Sequence, residues 1–244
     1  MALVWKGDAG LNARIMLSFA ILGVLYIIFL SILYYLGVGY IPLAIIASAM
    51  ILAQWYFSDK IVLWSSGAKI VSKEEYPGLH EIVERLSTNN GLPKPKVAMV
   101  NSPVPNAFAT GKSPKSSLVA VTTGILDLLD NDELEAVIGH ELSHVRSRDV
   151  LVLTLASLFS TVAWYLVRFG LFGGLQARNR NTAGSSAIVL LVAITTWVVS
   201  FLIIRAISRY REFSADRGGA IMTGKPDKLA SALLKISGKI KVIP

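Results

Sequence analysis

Hydrophobic and polar positions divide the chain into long charge-free runs separated by polar segments. From Ile15 to Ser58 there is no Asp, Glu, Lys or Arg, a stretch too long for one bilayer crossing and suited to two of about 20 residues joined by a turn. Gly37, Gly39 and Pro42 supply the turn signal. Two further charge-free runs, Val150 to Val167 and Ala187 to Ile204, are each about long enough to cross the hydrocarbon at about 1.5 Å per residue. The pattern predicts four transmembrane helices, with a pair of buried soluble helices as the alternative for the last two. Lys6 and Arg14 precede the first run as they would in a signal peptide. No small-residue cleavage site follows and another apolar run comes directly after, so the first run is read as a retained anchor.

The polar segments are the candidates for a folded domain. Leu79, Ile82, Val83 and Leu86 recur at helical spacing until Asn89, Asn90 and Gly91 end the pattern. Lys96 to Val100 and Leu118 to Thr122 are short, valine-rich and alternating, and read as strands around the turn-rich stretch Asn101 to Ser117. Asp132 with Glu135 resembles a capping box, after which Leu134, Val137, Ile138, Leu142 and Val145 continue as an amphipathic helix. Gly170 to Ser186 is linker-like. The expected organisation is an α+β membrane protein: a transmembrane hairpin over 1–58, a catalytic segment over 59–149, a second hairpin over 150–207, and a continuation of the catalytic domain over 208–244.

Composition sharpens this. The 53% of hydrophobic residues exceeds what a soluble core needs. Of the 24 Lys and Arg, only Arg168, Arg178 and Arg180 lie between the third and fourth runs, in the loop from Arg168 to Ser186. Basic loops stay on the cytoplasmic side, so both termini and the catalytic segment are expected there, in a multi-pass protein of the cell membrane. Anionic lipid headgroups account for the net charge of +8 without nucleic acid. The absence of cysteine excludes disulfides and thiolate metal sites.

The predicted helix carries His140-Glu141-Leu142-Ser143-His144. Residues four apart differ by only about 40° around a helix axis, so both imidazoles reach one tetrahedral zinc. Glu141, rotated by roughly 100°, stands beside water at the metal as a general base. A catalytic zinc takes three protein ligands and leaves one position open. Without cysteine, and with His80 off the apolar stripe of its helix in a surface or hydrogen-bonding role, the third ligand is expected to be a carboxylate. Glu212 and Asp216 lie one turn apart in Ser208 to Asp216, so one can bind zinc while the other takes an imidazole N–H. Two spans separate His144 from Glu212 and return the chain to the side it left.

These residues resemble the HtpX-type membrane zinc metalloproteases, relatives of the type I CaaX prenyl endoprotease. The likeness covers nearly the whole chain: the N-terminal span pair, Pro105 to Gly111, the His140 to His144 helix ending in Arg148-Asp149, the second hydrophobic pair, and Arg211 to Asp216. It implies a small zincin-like domain of gluzincin type with a short β-sheet, one zinc per chain, Glu212 as third ligand and Asp216 as its neighbour. It also implies that Asn106, Ala107 and Phe108 lie near the substrate cleft, on an exposed edge strand that takes an extended peptide. Substrates are then unfolded or misfolded polypeptides at the cytoplasmic surface of the bilayer, and the role is protein quality control. The alternatives are a prenyl-protein endoprotease, for which four spans are few, and a silent membrane scaffold, which has no use for Glu141. Such proteases usually continue into a His-Pro motif and a following Arg that stabilise the oxyanion, which this sequence lacks before Pro244. This length is expected to bind zinc but hydrolyse slowly, unless Tyr210 or Arg217 replaces the missing donor.

Overall fold

The structure, a computed structural model, describes residues 9–35, 41–171 and 183–240. In chain order the elements are α1 (Ala9–Tyr35), α2 (Ile41–Tyr56), α3 (Ser58–Ser66), β1 (Lys69–Ile70), α4 (Pro77–Asn89), β2 (Lys96–Val100), β3 (Ala107–Thr110), β4 (Leu118–Thr122), α5 (Thr123–Leu128), α6 (Asn131–Ser147), α7 (Asp149–Leu171), α8 (Ala183–Thr223) and α9 (Pro226–Ile240). They fall into two compact units, one of Ala9–Gln54 with Val152–Tyr210, the other built on Trp55–Leu151 with Arg211–Pro244.

The first unit is helical. Among the described residues two helices are long and apolar enough to cross a bilayer, over Ala9–Tyr35 and Ala187–Thr223. Helix α2 has 16 residues, and Pro42 sits in its first turn, where the missing N–H costs nothing. Gly37 and Gly39 lie outside the described residues. So do residues 172–182 of the expected linker, whose two ends are helical. Leu22, Ala156 and Ile207 are fully buried against one another.

The second unit holds a four-stranded sheet of order β1-β2-β4-β3. The two central strands, β2 and β4, run parallel with Lys96 opposite Leu118 and Val100 opposite Thr122. The stretch expected to be turns contains β3, antiparallel to β4 with Ala107 opposite Val121, and β3 forms one edge. Side chains alternate between faces. Val97, Met99, Val119 and Val121 point into a core closed by Leu79, Val83 and Leu86 of α4 and by Leu134, Ile138 and Leu142 of α6. Ala98, Leu118 and Ala120 point the other way, under Leu63 of α3. Helix α9 backs α6 through Leu229 and Ala232.

The start of α6 differs from expectation. Its cap is Asp130, whose carboxylate accepts the Glu133 N–H at 2.8 Å while Glu133 accepts the Asp130 N–H at 3.0 Å. The expected pair, Asp132 and Glu135, instead faces Lys225, whose Nζ donates to them at 2.6 and 2.7 Å. Both pairs have the spacing of a capping box. The extended backbone of Asp130 decides between them, because a cap lies outside helical geometry. His80 is buried, with Nε2 3.1 Å from the Val71 carbonyl oxygen.

Candidate metal centre

Helix α6 presents His140 and His144 one turn apart, and α8 brings Glu212 and Asp216 to them. The approach depends on two glycines. A Cβ on Gly219 would lie 2.7 Å from the His140 nitrogen, and one on Gly139 would lie 2.5 Å from Thr223 Cγ2. The helices cross backbone to backbone, which two ordinary side chains would prevent.

The two imidazole Nε2 atoms stand 3.2 Å apart. Glu212 Oε2 lies 3.6 Å from that of His140 and 3.8 Å from that of His144. Nitrogens bound tetrahedrally at about 2.0–2.1 Å from one zinc would be roughly 3.3 Å apart, so the donor set fits that ion in kind and in spacing. The Glu212 side chain is 57% exposed, which leaves the cluster open to solvent on that side.

A carboxylate stands behind each imidazole. His140 Nδ1 lies 3.0 Å from Asp216 Oδ1, and His144 Nδ1 lies 2.6 Å from Asp149 Oδ2. A carboxylate facing Nδ1 favours a proton there, so Nε2 is the atom that faces the cluster and binds an ion once its own proton has left. Asp149 directly follows Arg148, which ends α6 in left-handed backbone with φ 53°. Asp149 is buried and paired with Arg211, whose Nη2 also donates to the Ser147 carbonyl oxygen at 2.9 Å. Arg211 thus ties the end of α6 to the segment of α8 that carries Glu212.

Glu141 stands beside the cluster and accepts the Ala109 N–H from β3 at 2.9 Å. Burial pushes its carboxyl above the ordinary range, against the pull of His140 and His144. Burial opposes charge on His140, but Asp216, Glu212 and Glu141 outweigh it and lift the imidazole to about 10. Burial keeps His144 below its usual value despite Glu141. The hydrogen bond to His140 holds Glu212 below the carboxylate range. A buried carboxylate with raised proton affinity beside an open donor cluster is suited to moving a proton.

Asn106 is exposed, and its carbonyl accepts the Thr122 N–H at 3.0 Å. With that pairing, Asn106 and Phe108 turn their backbone groups toward β4, and Ala107 and Ala109 turn theirs to the open edge. Phe108 packs its ring toward Leu63 of α3, on the opposite face of the sheet from the core that Ala107 and Ala109 adjoin. Sequence reasoning passed over Asp149, Arg211 and Ala109 as contributors. Asp149 and Arg211 carried a signal, since each directly flanks a ligand-bearing segment, but Ala109 contributes only its backbone.

Comparison with known proteins adds the family. The pattern of Peptidase family M48 matches residues 73–241. The chain belongs to that family. It is 52% identical over 241 residues to Protease HtpX homolog 2 of Methanosarcina acetivorans, covering 98% of this chain and 82% of that protein. It is also 52% identical over 242 residues to Protease HtpX homolog of Moorella thermoacetica, 97% and 80% of the two chains. Among solved structures, S. mikatae Ste24p matches with a TM-score of 0.59 at 20% identity over 92% of this chain; the match spans 57% of Ste24p and speaks for the fold. Family membership and the likeness to HtpX homologues together make this chain a membrane metalloprotease, and a metal is implied at the centre.

Proposed function

We propose that the chain is a zinc endopeptidase of the cell membrane that cleaves unfolded or misfolded polypeptides on the cytoplasmic side. One observation carries the reading: the convergence of His140, His144 and Glu212 donor atoms within 4.8 Å of one another, with Glu141 beside them. In this reading these three residues hold one zinc per chain. The ion, when bound, polarises a carbonyl and brings the pKa of water toward about 7. Asp216 and Asp149 keep the two imidazoles in the tautomer that presents Nε2. Glu141 takes a proton from the attacking water and returns it to the leaving amine.

The free edge of β3 supports the choice of an extended peptide as substrate. The main-chain groups of Ala107 and the carbonyl of Ala109 face outward there, while the Ala109 N–H is held by Glu141, so a peptide adding as a further strand passes beside that carboxylate. Asn106 precedes that edge and reads substrate backbone. Only an unfolded segment can pair in this way, which is the basis for a quality-control role. Four membrane spans, including α2 and α7 besides the two long apolar helices, complete the proposal. The test is zinc content together with hydrolysis of an unfolded protein by the full chain and its Glu141→Gln form. Stoichiometric zinc in both and hydrolysis in the first alone are expected. Activity without zinc would overturn it.

A further inference from the structure

Helix α3 has two unlike faces. Leu63 packs with Ala68 and Phe108 on Ala98, Leu118 and Ala120 of the sheet, and Val62 and Ser66 are half-buried beside it. On the opposite side Phe57, Ile61 and Trp64 follow one another at spacings of four and three, which makes a single stripe. They are 44%, 46% and 88% exposed. Lys60 and Ser65 flank the stripe and are exposed as well. Tyr56, 56% exposed, precedes it, with Lys112 Nζ 3.9 Å from its ring centroid. Scattered apolar side chains on a surface are ordinary, but an aligned aromatic and aliphatic stripe marks a contact.

Three features identify what covers it. Helix α3 follows the apolar helix α2 after a single residue, Phe57, so a chain that leaves hydrocarbon at the end of α2 enters α3 at headgroup level. Tyr and Trp are the side chains that favour that level, where the ring is apolar on one side and hydrated on the other. Lys60 and Lys112 place positive charge where anionic headgroups lie. A second copy of the chain is a poor fit, because a stable protein interface needs about 800 Å² per partner and α3 has only nine residues.

We propose that α3 lies in the membrane interface with Phe57, Ile61 and Trp64 immersed among phospholipid headgroups. The inference rests on the reading of α2 as a membrane span. Its consequence concerns the substrate strand. Leu63 and Phe108 join α3 to β3, so an α3 fixed at the lipid surface sets the height of the β3 edge above it. Segments adjoining a membrane are then presented to the site ahead of soluble chains.

The sequence has no cysteine, so single spin labels can be placed without background. The full chain in vesicles of phosphatidylcholine and phosphatidylglycerol is labelled at Phe57→Cys, Ile61→Cys, Trp64→Cys, Ser66→Cys and Glu81→Cys, with Ile21→Cys in α1 as the hydrocarbon reference. Collision with oxygen is compared with collision with a water-soluble nickel chelate. Labels at 57, 61 and 64 should favour oxygen several-fold over those at 66 and 81. Nickel access at all three, with Ile21→Cys oxygen-rich, overturns the proposal and leaves the membrane reading intact. Nickel access at Ile21→Cys as well removes the membrane reading and this proposal with it. Shielding from both reagents with spin–spin broadening assigns the stripe to a second copy and also overturns it. A second measurement uses Ile61→Asp with Trp64→Asp. Cleavage of a membrane-tethered segment should fall about tenfold relative to that of a soluble unfolded protein, and an unchanged ratio would remove the positioning role.

Discussion

Gly219 leaves no room for a methyl group beside His140: a Cβ there would stand 2.7 Å from the His140 nitrogen and 2.8 Å from its Cα. This crossing sets how close α8 comes to α6, and so whether Glu212 reaches the two imidazoles. Gly219→Ala must push backbone from backbone, at about 1–3 kcal/mol for an overpacked site. Zinc affinity should fall about 10- to 100-fold, as when supports of a metal site are disturbed, while α6 stays helical. Titration with zinc under a competing chelator reads the effect.

Glu141 and the three ligands separate by outcome. Glu141→Gln should lower peptide hydrolysis by about 10²- to 10⁴-fold with zinc still bound one per chain. His140→Ala, His144→Ala and Glu212→Ala should each lose the metal. If Glu212→Ala retains tight stoichiometric zinc, the third ligand is elsewhere, and Asp216 is the next to replace.

Asp149 acts on zinc through His144. Asp149→Ala frees the His144 ring and leaves Arg211 buried without its carboxylate, so zinc affinity should fall about 10- to 100-fold and the fold should weaken. Asp149→Asn keeps the size and a hydrogen-bond acceptor and should recover part of the affinity. Equal zinc binding by all three forms would show that His144 needs no support from behind.

Glu133 gives a pH dependence. Its buried carboxylate accepts from Lys235 Nζ at 2.7 Å and from Ser231 Oγ at 2.7 Å, joining α9 to the start of α6. The hydrogen bond from Lys235 holds it below its usual pKa, against the cost of burial. A carboxyl depressed in the folded state binds more protons when unfolded. Its stabilisation is therefore complete above the ordinary carboxylate range and is lost as pH falls through the folded value. Hydrogen exchange of α9 amides should be slow at neutral pH and accelerate under acid. In Glu133→Gln it should be faster at neutral pH, by the equivalent of about 1.5–3 kcal/mol for a lost charged hydrogen bond.

Topology is open to a labelling test. A tag at Asn181, outside the described residues, should be reachable from the cell exterior and tags at either terminus should not. A protected Asn181 tag would mean that α7 and α8 do not form a crossing pair.

The sequence by itself determined the parts whose signal is local. Strands over Lys96–Val100 and Leu118–Thr122 were legible because alternation survives burial between two layers. The His140–His144 spacing was legible because 3.6 residues per turn is a property of any helix. What tertiary structure decided was non-local. Asp130 rather than Asp132 caps α6 because one backbone is extended there, a choice that two overlapping boxes cannot express. Asp149 meets His144 just beyond the left-handed Arg148, and Arg211 finds Asp149 across more than sixty residues of chain. The edge position of β3, which offers Ala107 and Ala109 outward, follows from the order of strands, since β3 itself would read the same in the middle of a sheet. Gly219 opposite His140 is the clearest case: a glycine shows in sequence that no side chain is present, and only the crossing of α6 and α8 shows why none can be.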